Sequence, residues 1–223
     1  MSPQLSPKRV VLIHALSASI EPIQNAFASA WPEAEAVNLM DDSLSVDRAN
    51  DGCLTEHMTA RFKTLTDYAC GNGADAVLFT CSAFHAAIDA ARADLALPVL
   101  TPDEAMMERA LELGPRIRML ATFEPTLATA TAAMHAIALR AGVDIDVQAV
   151  HVEGALAALQ SGDAARHKQL IVECAARQTD CDVMLLAQFS MSDTAAAVAA
   201  VVSCPVLTSP ATAVEKLKRL LLN

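Results

Sequence analysis

Asp75-Ala-Val-Leu-Phe-Thr-Cys81 is a continuous apolar run that ends on a hydroxyl and a thiol. A short run without polar alternation fits a strand buried on both faces, as in parallel sheets. The pattern returns as Asp182-Val-Met-Leu-Leu-Ala-Gln188, at an offset of 182 − 75 = 107. The same offset carries Pro98-Val99-Leu100-Thr101 onto Pro205-Val206-Leu207-Thr208, identical at all four positions, and Arg9-Val10 onto Arg116-Ile117. With a small gap, Glu21-Pro22 matches Glu124-Pro125. Several matches at one offset, each at the same place in a β-α pattern, read as an internal duplication.

Outward from that core the chain alternates strands and helices. Residues 9–14 (RVVLIH) form a short apolar strand, and Ser17, Ser19, Glu21 and Pro22 supply N-cap and first-turn chemistry for a helix to Ala30. Residues 34–39 read as a second strand, followed by the polar loop Asp41-Asp42-Ser43. Leu54, Met58, Phe62, Leu65 and Ala69 mark one helix face, stopped by Gly71-Asn72-Gly73. A helix is expected from about Ser82 to Ala93, a strand at 98–100, and a capping box at Thr101-Pro102-Asp103-Glu104. In the second half, strands are expected at 116–121 and 145–150, and a helix at 163–177. Helices between strands imply parallel sheets with right-handed crossovers. The expected fold is therefore α/β, with two pseudo-symmetric lobes, each a mainly parallel sheet flanked by helices, and an active-site cleft between them. The lobes are expected at 1–110 and 111–208, with a terminal helix at 209–223 packing back on the first.

Composition narrows the function. The 223 residues carry a net charge of −10, which argues against a nucleic-acid backbone or an anionic membrane surface as partner. The densest apolar stretch, residues 195–202, ends at Ser203-Cys204-Pro205, well short of the roughly 20 residues of a membrane span. The apolar run at 10–13 is too short for a secretory signal, so a cytoplasmic location is expected. The six cysteines include no CxxC pair, and the scattered His and Cys show no zinc spacing. No Gly-rich phosphate loop and no GxSxG elbow occur, so neither a metal nor a nucleotide cofactor is expected.

In parallel α/β sheets ligands bind beyond the carboxyl ends of the strands. In the first half those ends hold His14, Ser17, Thr80, Cys81, Ser82 and Ala83; in the second they hold Thr122, Gln188, Phe189 and Ser190. Cys81 stands at a strand-to-helix junction, where backbone N–H groups favour a thiolate able to act as base or nucleophile. The alternative is an inert buried cysteine. Thr80 and Ser82 add hydroxyls for a carboxylate or oxyanion, or, for Ser82, ordinary N-capping. His14 is placed to bind a carboxylate or shuttle a proton, or else to hydrogen-bond a loop. His85, four residues after Cys81, shares its helix face if the helix starts there. Asp41 and Asp42 could close over the site, or simply face water.

The segments DAVLFTCSAF (75–84), LPVLTPDEAM (97–106), RIRMLATFEPT (116–126) and DVMLLAQFSM (182–191) resemble the aspartate/glutamate racemase superfamily, which includes hydantoin racemases, maleate isomerases and arylmalonate decarboxylases. The resemblance implies cofactor-free chemistry at the α-carbon of a small carboxylic acid or amino-acid derivative. It also implies two facing cysteines, one after the third strand of each lobe. Cys81 matches the first. Gln188 stands where the second is expected, and an amide cannot exchange protons at ordinary pH. The resemblance thus points to an isomerase with Cys81 as its single proton carrier or nucleophile, to a decarboxylase, or to a degenerate carboxylate-binding protein. A homodimer is the default assembly for such enzymes.

Overall fold

The computed structural model describes residues 6–223; residues 1–5 of the expected first lobe lie outside it. It divides into two compact units. One runs to Pro102 and includes Ala213–Asn223; the other is Asp103–Thr212.

The first unit contains β1 (Arg9–His14), α1 (Ile20–Ala30), β2 (Glu35–Met40), α2 (Ser43–Asp51), α3 (Glu56–Gly71), β3 (Ala76–Phe79), α4 (His85–Arg92) and β4 (Val99–Leu100). Its strands are all parallel, in the order β2-β1-β3-β4. Every residue of β3 is buried, as its unbroken apolar run requires, whereas the edge strand β2 is mostly open. One sheet face, with Val11, Ile13, Val77 and Phe79, packs against Leu44 of α2, Met58, Phe62 and Ala69 of α3, and Ile88 of α4. Phe62 anchors this core, with ring centroids 5.0 Å from Phe79 and 4.9 Å from Phe84.

The second unit contains α5 (Glu104–Leu113), β5 (Arg116–Ala121), α6 (Glu124–Ala141), β6 (Asp146–His151), α7 (Ala155–Gln160), α8 (Ala164–Ala176), β7 (Val183–Leu186), α9 (Ala195–Ala199) and β8 (Val206–Thr208). The chain ends in α10 (Ser209–Leu222), whose Lys218 donates to the Ala30 carbonyl at the end of α1. The strands are parallel in the order β6-β5-β7-β8, the same order as in the first unit. Alternation sends Ile117, Met119, Val183 and Leu185 to the side packed with Met106, Met107 and Met134. Leu120, Met184 and Leu186 face Ile171, Cys174 and Val198.

The repeat extends to individual bonds. The Arg9 amide donates to the Asp75 carboxylate (2.8 Å) and the Arg116 amide to Asp182 (2.9 Å). Val77 N–H meets Pro98 O, and Met184 N–H meets Pro205 O, both at 2.9 Å. Gly114, at φ +151°, leads into β5; a Cβ there would lie 2.5 Å from that of Asp182, so only glycine fits.

Several boundaries differ from the sequence expectations. The division falls at Pro102 rather than at 110, because α5 contributes Met106, Met107 and Ala110 to the core of the second unit. That helix begins at Glu104 with Asp103 at the cap position, so Pro102 precedes the helix instead of opening it. Helix α2 fills what reads as loop after Asp42, because Leu44 is needed in the core. The expected helix from Ser82 is a 3-10 turn, Ser82–Phe84, followed by α4; Phe84 at φ −129°, ψ 23° breaks the two apart.

Candidate functional site

Cys81 follows β3 by one residue, Thr80, and caps the 3-10 turn at φ −124°, ψ 119°. It is half-buried and packs on the aromatic core. A small apolar cavity beside it is lined by Ile13, His14, Ala15, Leu44, Phe62 and Phe79. Because the turn is only three residues long and breaks before α4, Cys81 does not stand at an α-helix N-terminus. No α-helix dipole therefore acts at the Cys81 thiol.

Next to Cys81 lies a polar network in which His14, Ser19 and Thr80 are buried and Asn38 is exposed. His14 is fully buried, and burial pushes its pKa below the usual 6.5, offset in part by the hydrogen bond to Asn38. The proton positions follow from the partners. Asn38 Oδ1 can only accept, so His14 Nε2–H donates to it (2.9 Å) and Nδ1 carries the lone pair. The Ser19 hydroxyl donates to the Leu16 carbonyl (2.8 Å). That leaves the Thr80 hydroxyl, 2.8 Å from His14 Nδ1, as its nearer donor; the Ser19 oxygen lies 3.1 Å from Nδ1 and 2.8 Å from that of Thr80. With both ring nitrogens occupied, neutral His14 is held between Thr80 and Asn38.

Gln188 directly follows the residue after β7 and caps its own 3-10 turn, Phe189–Thr194, at φ −139°, ψ 142°, an extended conformation like that of Cys81. Its Oε1 accepts from both the Thr122 amide (2.6 Å) and the Thr122 hydroxyl (2.9 Å). A backbone N–H can only donate, so the oxygen of the Gln188 amide must face Thr122. Its Nε2 then points away as a donor. Thr122 is buried, and its carbonyl accepts from His151 Nε2 at the end of β6 (3.3 Å).

Of the remaining candidates, Ser17 and Ala83 are exposed, while Ser82, Phe189 and Ser190 are half-buried. Ser82 lies inside the turn whose N-cap is Cys81, so it is not the capping residue, and its carbonyl accepts His85 Nδ1–H at 2.6 Å. Asp41 is not an open lid residue. Burial alone would raise its pKa, but hydrogen bonds from Ser43 and Arg61, with the Arg61 charge, hold it below the usual value. Asn38 and His151 escaped sequence reasoning, and Ser19 was read chiefly as helix-capping chemistry. Asn38 left a signal, an amide inside the otherwise apolar AVNLM of β2. Among the described residues no group of three or more metal-ligating side chains occurs, and no helix is long and apolar enough to cross a membrane.

The family model for Asp/Glu/hydantoin racemases matches residues 16–217. The fold resembles an allantoin racemase from Klebsiella pneumoniae (TM-score 0.73, 20% identity, covering 96% of this chain and 88% of that one). It also resembles an aspartate racemase from Picrophilus torridus (0.69, 13%, 96% and 94%). A third likeness is to a glutamate racemase from Bacillus anthracis (0.66, 12%, 97% and 82%). No curated protein matches the sequence significantly.

Proposed function

The chain belongs to the Asp/Glu/hydantoin racemase family, and from that premise we propose that it is a cofactor-independent isomerase acting at the α-carbon of a small carboxylic acid or amino-acid derivative. The observation that carries the proposal is the pair of equivalent strand ends, a thiol at Cys81 and a fixed amide at Gln188. In this reading both ends serve one substrate. Cys81 removes the α-proton as general base, and the carbanion delocalises into the neighbouring carbonyl or carboxylate. Gln188 Nε2–H donates to the developing oxyanion, held in place by the grip of Thr122 on Oε1. Thr80, fixed by His14, shapes the backbone on which Cys81 sits. The thiol then returns a proton.

Gln188 cannot deliver a proton to the opposite face. One thiol therefore gives exchange of the α-hydrogen more readily than inversion. This favours a second reading, a decarboxylase, in which loss of CO2 makes the carbanion and the Cys81 thiol protonates it. The allantoin and amino-acid racemases among the structural neighbours support a ureide or amino-acid skeleton as substrate. Cytoplasmic location, homodimeric assembly and origin by internal duplication belong to the same proposal and rest on the sequence reading.

The test is a panel of small acids, amino acids and ureides in D2O, followed by NMR for α-deuteration and CO2 loss, with wild type and Cys81→Ala compared. Turnover unchanged by the substitution removes Cys81 as catalyst. No turnover on the panel, together with a ligand-induced rise in melting temperature, favours a binding protein.

A further inference from the structure

At the other end of β7 from Gln188 lies a second pair of groups that the proposed reaction does not use. Cys181 and Cys204 precede neighbouring parallel strands, joined in the register Met184↔Val206, and their sulfurs are 2.9 Å apart. Both are half-buried, within reach of a small oxidant. The repeat supplies an internal control. At the offset of 107, Cys181 corresponds to Ala74 and Cys204 to Leu97, and these two pack against the core of the first unit. The fold therefore fills this place with plain hydrocarbon when packing is all that is required. Adjacent strands lie about 4.8 Å apart, which brings their residues into the Cα range that a disulfide spans.

We propose that Cys181 and Cys204 form a reversible dithiol–disulfide site, oxidised by a peroxide, that clamps the segment bearing Gln188. The Cys181 sulfur attacks one peroxide oxygen, the O–O bond breaks, and water leaves, giving a sulfenic acid. The Cys204 sulfur then attacks the Cys181 sulfur, the S–O bond breaks, and the departing hydroxide takes the Cys204 proton as a second water. Two thiols lose two electrons and two protons in all, and the peroxide is reduced to water. Burial, then the hydrogen bond and charge of Cys181, push the Cys204 thiol up to about 12, so Cys204 keeps its proton until the resolving step. The crosslink closes β7, the Gln188 turn and α9 into one loop, which restricts the unfolded chain.

The experiment treats the full-length protein with hydrogen peroxide, quenches it, and alkylates it in denaturant. The expected result is loss of two of the six thiols, a Cys181–Cys204 linked peptide in a non-reducing digest, and full recovery with dithiothreitol. Melting should rise by roughly 5 °C in the oxidised form. Cys181→Ala and Cys204→Leu, which copy the first unit, should each abolish the linked peptide and the melting shift. Six titratable thiols after treatment, a linked peptide through other cysteines, or a crosslink with no rise in melting would overturn the proposal.

Discussion

His14, Thr80 and Asn38 of the first unit stand where the second unit has Ala121, Ala187 and Ala149. The first two pairs follow from the offset of 107; the third follows from strand register, since Asn38 pairs with Leu12 and Ala149 with Met119. One copy of the fold thus supports its strand ends with a hydrogen-bonded network centred on a buried histidine, and the other does so with methyl groups. The fold does not demand the network, because its twin does without it. The network holds Thr80, and Thr80 leads directly into Cys81. In the second unit the polar contact moves one residue outward, to Thr122 and Gln188. Thr122 corresponds to Ala15, which lines the apolar cavity beside Cys81. A thiol on hydrocarbon and an amide on a hydroxyl are two different tools at one topological position.

The comparison breaks most sharply at its two tips. Cys81→Ala is expected to lower isotope exchange by about 10²–10⁴-fold, the usual worth of a positioned proton carrier. Gln188→Cys should add a second proton carrier and convert exchange into inversion, read by chiral chromatography. Equal loss from Cys81→Ala and Gln188→Ala would erase the division of labour. The shared scaffold comes next. Leu78 and Leu185 are equivalent and fully buried, so each truncation to Ala should cost about 2–5 kcal/mol in chemical denaturation. A large cost in one unit and a negligible cost in the other would show that the two cores are not alike.

Thr80→Val tests the network itself. It keeps the shape but strips His14 Nδ1 of its nearer donor and leaves Ser19 at 3.1 Å, at an expected cost of about 1–3 kcal/mol. The smallest effect is on pH dependence. His14 binds its proton less readily folded than unfolded, so the unfolded chain takes up the extra proton as pH falls. Stability should be complete above about 6.5 and decline below it, by at most about 1.4 kcal/mol per pH unit for one group. His14→Gln should flatten that slope in melting temperatures measured from pH 7.5 to 5. The lowered carboxyls Asp41, Asp75 and Asp182 act in a separate window, in and below the usual carboxylate range near 3.8.

Much of this architecture was legible along the chain. Unbroken apolar runs such as 75–80 can be satisfied only by strands buried on both faces, and the offset of 107 copied the strand order from one unit to the other. Cys81 and Gln188 were legible for the same reason, since each directly terminates such a run. Short-range chemistry misled at Ser82 and Pro102, where a favourable capping pattern was outweighed by the core's need for Phe84 and Met106.

The sequence by itself determined the periodicity, the repeat and the residue types at the strand ends, because these follow from local burial and spacing. Only the tertiary structure decided what those residues touch. Asn38 meets His14 across 24 positions of chain, Thr80 meets it across 66, and Cys181 meets Cys204 across 23. Hydrogen bonds and sulfur contacts depend on distances of about 3 Å, and only the folded strand register brings such distant residues that close.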